Sequence, residues 1–328
     1  MSDRNLKSAP RVGMGCWAIG GMFWNGNTPV GYSGSNDADS TAAIHAAWDN
    51  GVRVFDTSSV YGGGHSETLL GAALKTRPEA LIVSKFGHSI NNETKKMTGP
   101  KFDPAYVRWS VEQSLQRLQR DQIDVMLLHL NDLPITDATP AFDTLETLVA
   151  EGKLASYGWS TDFPERINAV ANHPGFSTVQ HVMNLFFDAP SMNAAAQKQN
   201  VTQLIRSPLA MGLLTGKYTD GHTVPKQDVR ANDADTSGYF KGRAAKPELT
   251  KQLDAVRDLI TIDGRTLTQG ALCWLLAKSP NALPLPGAKN AAQSRENALA
   301  MEFGPLPDAI MAEIETVLDR PAEEIRAR

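Results

Sequence analysis

"FDTSSVYGGGHSE", residues 55–67, follows the short apolar run Val52-Arg53-Val54 and turns at once into polar residues and three glycines. A buried strand that ends in a carboxylate, Asp56, and holds a phenol, Tyr61, five positions on reads as a strand with its working end at the carboxyl terminus. The glycines at 62–64 let the chain turn sharply and start a helix close by. The same unit recurs along the chain. Short apolar runs at 12–17, 52–55, 80–84, 123–128, 155–159, 178–183, 203–205 and 283–286 read as buried parallel strands.

Helical segments with start and stop signals lie between them. Asp103-Pro104 predicts a capped start, followed by the stripe Val107, Val111, Leu115, Leu118. Thr139-Pro140 predicts the next start, with Phe142, Leu145 and Leu148 facing inward and Gly152 near the end. The run from Asp162 to Glu165 reads as a capping box, and a further helix at 291–301 follows the last strand. Strand and helix alternation demands a parallel sheet with right-handed crossovers. Eight units in 328 residues predict one α/β domain over 1–328, a (β/α)8 TIM barrel with long loops at its C-terminal face and a C-terminal helix. Residues 20–36 and 218–246 are read as the long loops.

Bulk properties narrow the function. The chain is 41% hydrophobic and 21% charged, with a net charge of −4. No basic block marks a nucleic-acid partner, and no apolar run reaches the length of a membrane span. The first ten residues lack the apolar core of a signal peptide, and Cys16 and Cys273 stand alone, which points to the cytoplasm. No close Cys/His cluster resembles a metal site. Nothing in the sequence sets an oligomeric state.

In such a barrel the chemistry sits at the carboxyl ends of the strands. Those ends carry Asp56 with Tyr61 behind it, Lys85, His129, Ser160-Thr161, Gln180 and Asn184, and Arg206-Ser207. Each alone has an ordinary structural use; an aspartate, a tyrosine, a lysine and a histidine on neighbouring strand ends do not. A free phenol, with a pKa near ~10, is a poor acid at neutral pH. An adjacent ammonium stabilises the phenolate, and a carboxylate holds the ammonium. Tyr61 is therefore expected to be a general acid with its pKa lowered by Lys85 and Asp56, and His129 to bind the substrate oxygen or relay the proton.

These residues resemble the aldo-keto reductase family. The resemblance runs from Gly13 to Asn297 through "FDTSSVYG", "VSKFG", "DVMLLH", "YGWS", "SPLAMGLLTGKY" and "PGAKNAAQSREN", in that order. It implies a (β/α)8 barrel, a nicotinamide cofactor across the mouth, and reduction of an aldehyde or ketone. Asp56, Tyr61, Lys85 and His129 match the family's catalytic tetrad. Cys16 and Trp17 match the end of the first strand beside the cofactor. Ser160, Thr161 and Gln180 match the carboxamide contacts, with Thr161 standing where Asn or Arg is common. Ser207, Pro208, Leu209, Gly212 and Lys217 match the loop around the pyrophosphate, and Gly287, Lys289, Gln293, Glu296 and Asn297 the adenosine end. Lys289 is the expected 2′-phosphate contact, which favours NADP(H). The chain lacks a lysine at 287 and an arginine at 293 that some relatives carry, so NAD(H) stays open.

Arg206 stands where many relatives have an aromatic residue on the nicotinamide. A guanidinium there is expected to disfavour the oxidised, cationic ring. "GMGCWA", residues 13–18, imitates a dinucleotide fingerprint, but the glycines after it cannot open a helix. Two other readings stand beside the reductase: an NAD-preferring sugar or alcohol dehydrogenase, and a cofactor-binding accessory subunit or redox sensor. The substrate is expected to be a small carbonyl compound, apolar or aromatic, held by Trp24, Tyr61 and His129, with Phe186 nearby.

Overall fold

The eight apolar runs become eight parallel strands: β1 (Met14–Gly15), β2 (Val54–Asp56), β3 (Leu81–Phe86), β4 (Ile123–Leu128), β5 (Leu154–Ser160), β6 (Phe176–Val182), β7 (Thr202–Arg206) and β8 (Ala282–Pro284). They hydrogen-bond in sequence order. The sheet closes on itself: the Gly13 N–H donates to the Pro284 carbonyl at 3.0 Å and the Gly15 N–H to the Pro286 carbonyl at 3.0 Å. Gly15 also bridges Gly287 in parallel. The structure, a computed structural model, describes residues 5–218, 221–232, 238–320 and 322–323.

Side chains alternate between the two faces of a strand. Val54, Leu81, Val83, Val125, Leu127, Leu204, Leu283 and Leu285 pack together inside the barrel, with Leu6 of an N-terminal 3-10 turn in the same cluster. Phe55, Ile82, Met126, Trp159, Val179 and Ile205 join the larger cluster shared with the helices.

Those helices are α1 (Asp37–Asp49), α2 (His65–Ala73), α3 (Pro104–Leu118), α4 (Ile135–Ala150), α5 (Pro164–Val170), α6 (Pro190–Lys198), α7 (Pro247–Ile260), α8 (Leu267–Lys278), α9 (Ala291–Phe303) and α10 (Asp308–Val317). Asp103 caps α3, accepting a bond from the Tyr106 N–H, and Val107, Val111 and Leu118 are buried as their spacing predicts. Two start signals mislead. The fourth helix begins after Pro134, so Pro140 lies inside α4 rather than at its start. Asp162 caps nothing: its carboxylate accepts from the Val182 N–H at 2.8 Å and pairs with Arg206, while α5 opens at Pro164 without a side-chain cap.

Residues 20–36 are not a plain loop. Trp24–Asn25 and Thr28–Pro29 join His88–Asn91 and Lys96–Pro100 in a second, four-stranded sheet. Within 218–246, the described residues form a 3-10 turn at Val229–Ala231 and two short strands, Phe240–Lys241 and Ala244–Ala245. Residues 219–220 and 233–237 of that expected loop lie outside the described residues.

Candidate active site

The inward alternation that fills the barrel with Val and Leu also delivers its polar layer. Two residues beyond Val54 comes Asp56, beyond Val83 comes Lys85, beyond Leu127 comes His129 and beyond Leu204 comes Arg206. Ser160 and Gln180 close the ring from β5 and β6. The sequence therefore places chemistry on the top rung of the interior without any special loop.

Lys85 is the hub and is fully buried. Its Nζ donates to Asp56 Oδ1 at 2.7 Å, to the Thr57 carbonyl at 2.7 Å and to Tyr61 Oη at 3.4 Å. The second carboxylate oxygen of Asp56 accepts from Gln180 Nε2 at 2.8 Å. Burial works to lower the Lys85 pKa, but Asp56 and Tyr61 together outweigh it and hold the ammonium above its ordinary value. Burial pushes the Asp56 carboxyl up, with Lys85 and Gln180 opposing. Tyr61 departs from expectation: burial raises its pKa, and the nearby Lys85 offsets only part of that. The resting phenol is thus firmly protonated.

Tyr61 reaches this position because the chain folds back on itself after β2. Gly62 has φ 62°, and a Cβ there would meet the Gly20 carbonyl oxygen at 1.9 Å, so no other residue fits. The phenol stacks on Trp17 with ring centroids 5.9 Å apart and meets His129 edge-on at 6.2 Å. His129 Nδ1 lies 3.4 Å from Ser58 Oγ. Burial, then Lys85, depress the His129 pKa well below the usual imidazole range, so the ring is neutral.

Above these residues lies a cavity of about 490 Å³. Tyr61, Asp56 and His129 line one end, with apolar walls from Phe23, Val30, Val60 and Met97. Trp17, Ser160, Gln180, Arg206, Ser207, Pro208, Leu209, Gly212, Lys217, Gly287, Lys289 and Gln293 line it as well. Three of the residues lining it are cations, Lys217, Arg230 and Lys289. Burial and the neighbouring cations Arg230 and Lys217 lower the Lys289 pKa against the pull of Asp228. A cluster of this kind fits an anionic ligand group. The loop after β7 approaches it under backbone strain, with left-handed φ values at Ser207, Ala210 and Met211.

Several expected contacts lie elsewhere. Trp24 does not line the cavity; its neighbour Phe23 does, since the two point to opposite faces of an extended chain. Phe186 is sealed in the core. Cys16 and Thr161 are fully buried outside the lining, and the Thr161 hydroxyl donates to the Asn131 carbonyl at 2.7 Å. Glu296 accepts from the Thr266 hydroxyl at 2.7 Å, and Asn297 donates to the Gly287 carbonyl at 3.3 Å; neither lines the cavity. Arg206 is ion-paired with Asp162, so its charge is compensated where it borders the cavity.

Sequence reasoning passed over Tyr32, His88, Asn131, Tyr218 and Arg230, all of which line the cavity. Arg230 donates to both carboxylate oxygens of Asp228 and to the Tyr218 hydroxyl. Asp228 in turn accepts from the Ser33 N–H at 3.3 Å, which ties the long loop after β7 to the one after β1. Pairings between two irregular segments leave no periodic trace in sequence. Only the presence of ionisable residues in a long loop hinted at them.

A profile of the Aldo/keto reductase family matches residues 11–319. An NADP(+)-linked aldo-keto reductase of Schizosaccharomyces pombe is 30% identical over 98% of this chain and 92% of its own length. An NADH-specific methylglyoxal reductase of Escherichia coli is 27% identical, covering 94% and 96% of the two chains. The solved structure of a glycerol dehydrogenase from Gluconobacter oxydans superposes with a TM-score of 0.79 at 31% identity, over 95% of this chain and 92% of that one. The chain belongs to the aldo/keto reductase family.

Proposed function

We propose that the protein reduces a small aldehyde or ketone to an alcohol with NADPH, and that Tyr61 is the general acid. The observation that carries this is the position of Lys85 Nζ, bonded to Asp56 at 2.7 Å and to Tyr61 Oη at 3.4 Å beside an open cavity. A bound nicotinamide cofactor would supply hydride to the carbonyl carbon. Ser160, Gln180 and Arg206 would border its ring end, the loop from Ser207 to Lys217 its phosphates, and Lys289 its 2′-phosphate. Gln180 Nε2 gives one of its two N–H groups to Asp56, which fixes the orientation of the amide.

The side chains divide the remaining work. His129, neutral, hydrogen-bonds the substrate oxygen and fixes its lone pair toward Tyr61. As negative charge grows on that oxygen, the Tyr61 proton moves to it. The phenolate left behind is stabilised by the Lys85 ammonium, whose own position is fixed by Asp56 and the Thr57 carbonyl. A phenol with a raised resting pKa keeps its proton until the substrate oxygen becomes basic enough to take it. The low dielectric strengthens the Lys85 interaction at that moment.

A complete tetrad supports catalysis over a purely cofactor-binding role. NADH use is a second reading, favoured by the similarity to an NADH-specific reductase. Both cysteines are free, which fits a reducing compartment such as the cytoplasm. Parallel steady-state kinetics with NADPH and NADH, using 4-nitrobenzaldehyde, test the assignment. One charge-assisted contact to the extra phosphate predicts an NADPH preference of roughly tenfold or more in kcat/KM. Equal or better rates with NADH would assign the second reading, and no consumption of either would discard the enzyme.

A further inference from the structure

Glu67 is a fully buried carboxylate that does not line the cavity. It projects from the first turn of α2, and both of its oxygens are bonded. Oε1 accepts from the Ser84 hydroxyl at 2.5 Å, and Oε2 accepts from Arg117 Nε of α3 at 2.6 Å. An ion pair this deep contributes little net stability, because desolvating both charges offsets their attraction. Apolar side chains of similar volume would fill the site as well. The use of the pair therefore lies in where it holds its neighbours.

Those neighbours belong to the segments that carry Lys85 and Tyr61. Ser84 precedes Lys85 in β3, and side chains alternate, so Ser84 points out toward α2 while Lys85 points into the barrel. Ser66 precedes Glu67 in α2, and its N–H donates to the Tyr61 carbonyl at 3.3 Å. Arg117 lies against the turn between them. At Gly64, with φ 86°, a Cβ would be 2.7 Å from both Cδ and Nε of Arg117. The main chain of Arg117 is itself fixed, since a Cβ at Gly71 would lie 2.4 Å from its carbonyl oxygen. One carboxylate thus joins the strand that delivers the ammonium to the turn that delivers the phenol. The gap between those two groups is sensitive. Lys85 Nζ and Tyr61 Oη stand 3.4 Å apart, at the outer edge of a hydrogen bond.

We propose that Glu67, with Arg117 and Ser84, is a positioning residue for proton delivery: it sets the distance between the Lys85 ammonium and the Tyr61 phenol. This rests on the reductase reading. Without the tie, the turn at 62–64 shifts against β3. The phenolate formed as the proton leaves is then less well stabilised, so the transfer slows while cofactor binding is unaffected.

Replacing Glu67 alone would leave Arg117 without its counter-charge and endanger the fold. Two variants avoid this. Ser84→Ala cuts only the arm to β3. A triple variant, Glu67→Leu with Arg117→Met and Ser84→Ala, makes the whole network apolar and leaves neither charge unpaired. Each is read by single-turnover oxidation of NADPH with 4-nitrobenzaldehyde in H2O and D2O, by NADPH titration and by urea denaturation. The step should slow about threefold in Ser84→Ala and about tenfold or more in the triple variant, within the ~10²-fold that misplaced reacting groups can cost. The solvent isotope effect should rise in both, because a displaced donor makes proton transfer more fully limiting. The NADPH dissociation constant should stay near the wild-type value. Tyr157→Phe, which removes a buried bond to Glu146 between β5 and α4, is the control; it should lower stability and leave rate and isotope effect unchanged. Wild-type rate and isotope effect in Ser84→Ala, or in a folded triple variant, would overturn the proposal. Equal slowing in the control would assign the loss to general destabilisation and overturn it too. A wild-type rate in Tyr61→Phe would instead overturn the reading beneath it.

Discussion

Asp56, Lys85 and His129 were readable as single letters because a buried parallel strand has few reasons to end in an ionisable group. Their distances were not readable, nor was the balance of effects on Tyr61, where burial outweighs the ammonium. Trp24 shows the limit at this scale. An aromatic residue in a loop is visible, but which of two neighbours faces inward depends on a strand of two residues, and Phe23 is the one that does. Arg206 was conspicuous, yet its partner Asp162 was hidden by a false capping signal. That pairing changes the expectation for the cofactor. With its charge already compensated, Arg206 should discriminate weakly between oxidised and reduced nicotinamide. Fluorescence titration of wild type and Arg206→Tyr should give NADPH to NADP+ dissociation-constant ratios within about threefold of each other, below the ~0.7 kcal/mol that threefold represents. A tenfold shift would restore a direct charge effect.

Strands and helices were largely visible from periodicity. What periodicity missed were the short pieces at the mouth: the four-stranded ribbon and the turn at Val229–Ala231, each too brief to show a pattern. α4 was misplaced because Pro140 looks like a first-turn proline, whereas Pro134 already sets the start. The strands also carry a pH dependence. His129 follows β4, His181 lies within β6, and His88 opens the ribbon; burial depresses all three pKa values. Above about pH 6.5 these rings are neutral in both folded and unfolded chains and contribute no slope. Below it the unfolded chain takes up protons that the folded one refuses, so stability falls with falling pH. The slope approaches ~1.4 kcal/mol per pH unit for each histidine. Urea denaturation between roughly pH 5 and 7 should show this fall, and His181→Gln should make it shallower. A profile that is flat over this range in the wild type would contradict the neutral, buried rings.

At the scale of the whole molecule the decisive event is closure, because it alone brings β1 beside β8 and completes the ring of polar residues. Gly15 sits at that seam, where a Cβ would lie 2.7 Å from the Leu285 carbonyl oxygen. Gly15→Ala must push two backbones apart, and overpacking of this kind costs about 1–3 kcal/mol. Chemical denaturation of the variant checks it, and wild-type stability would show that the seam yields freely. The barrel order followed from counting strand and helix units. The tie between Asp228 and Ser33 did not, because it joins segments 195 residues apart that share no regular element.

In the proposed reading, Asp56, Tyr61, Lys85 and His129, each ordinary on its own segment, act from the neighbouring ends of β2, β3 and β4 as one proton-donating unit. Single-turnover measurement of NADPH oxidation by Tyr61→Phe tests that most directly, with NADPH affinity measured alongside. Loss of the phenolic proton should slow the reduction step by at least ~10²-fold while the dissociation constant for NADPH stays near the wild-type value. Reduction at a rate close to wild type would show that another group delivers the proton, and the assignment of Tyr61 would fail.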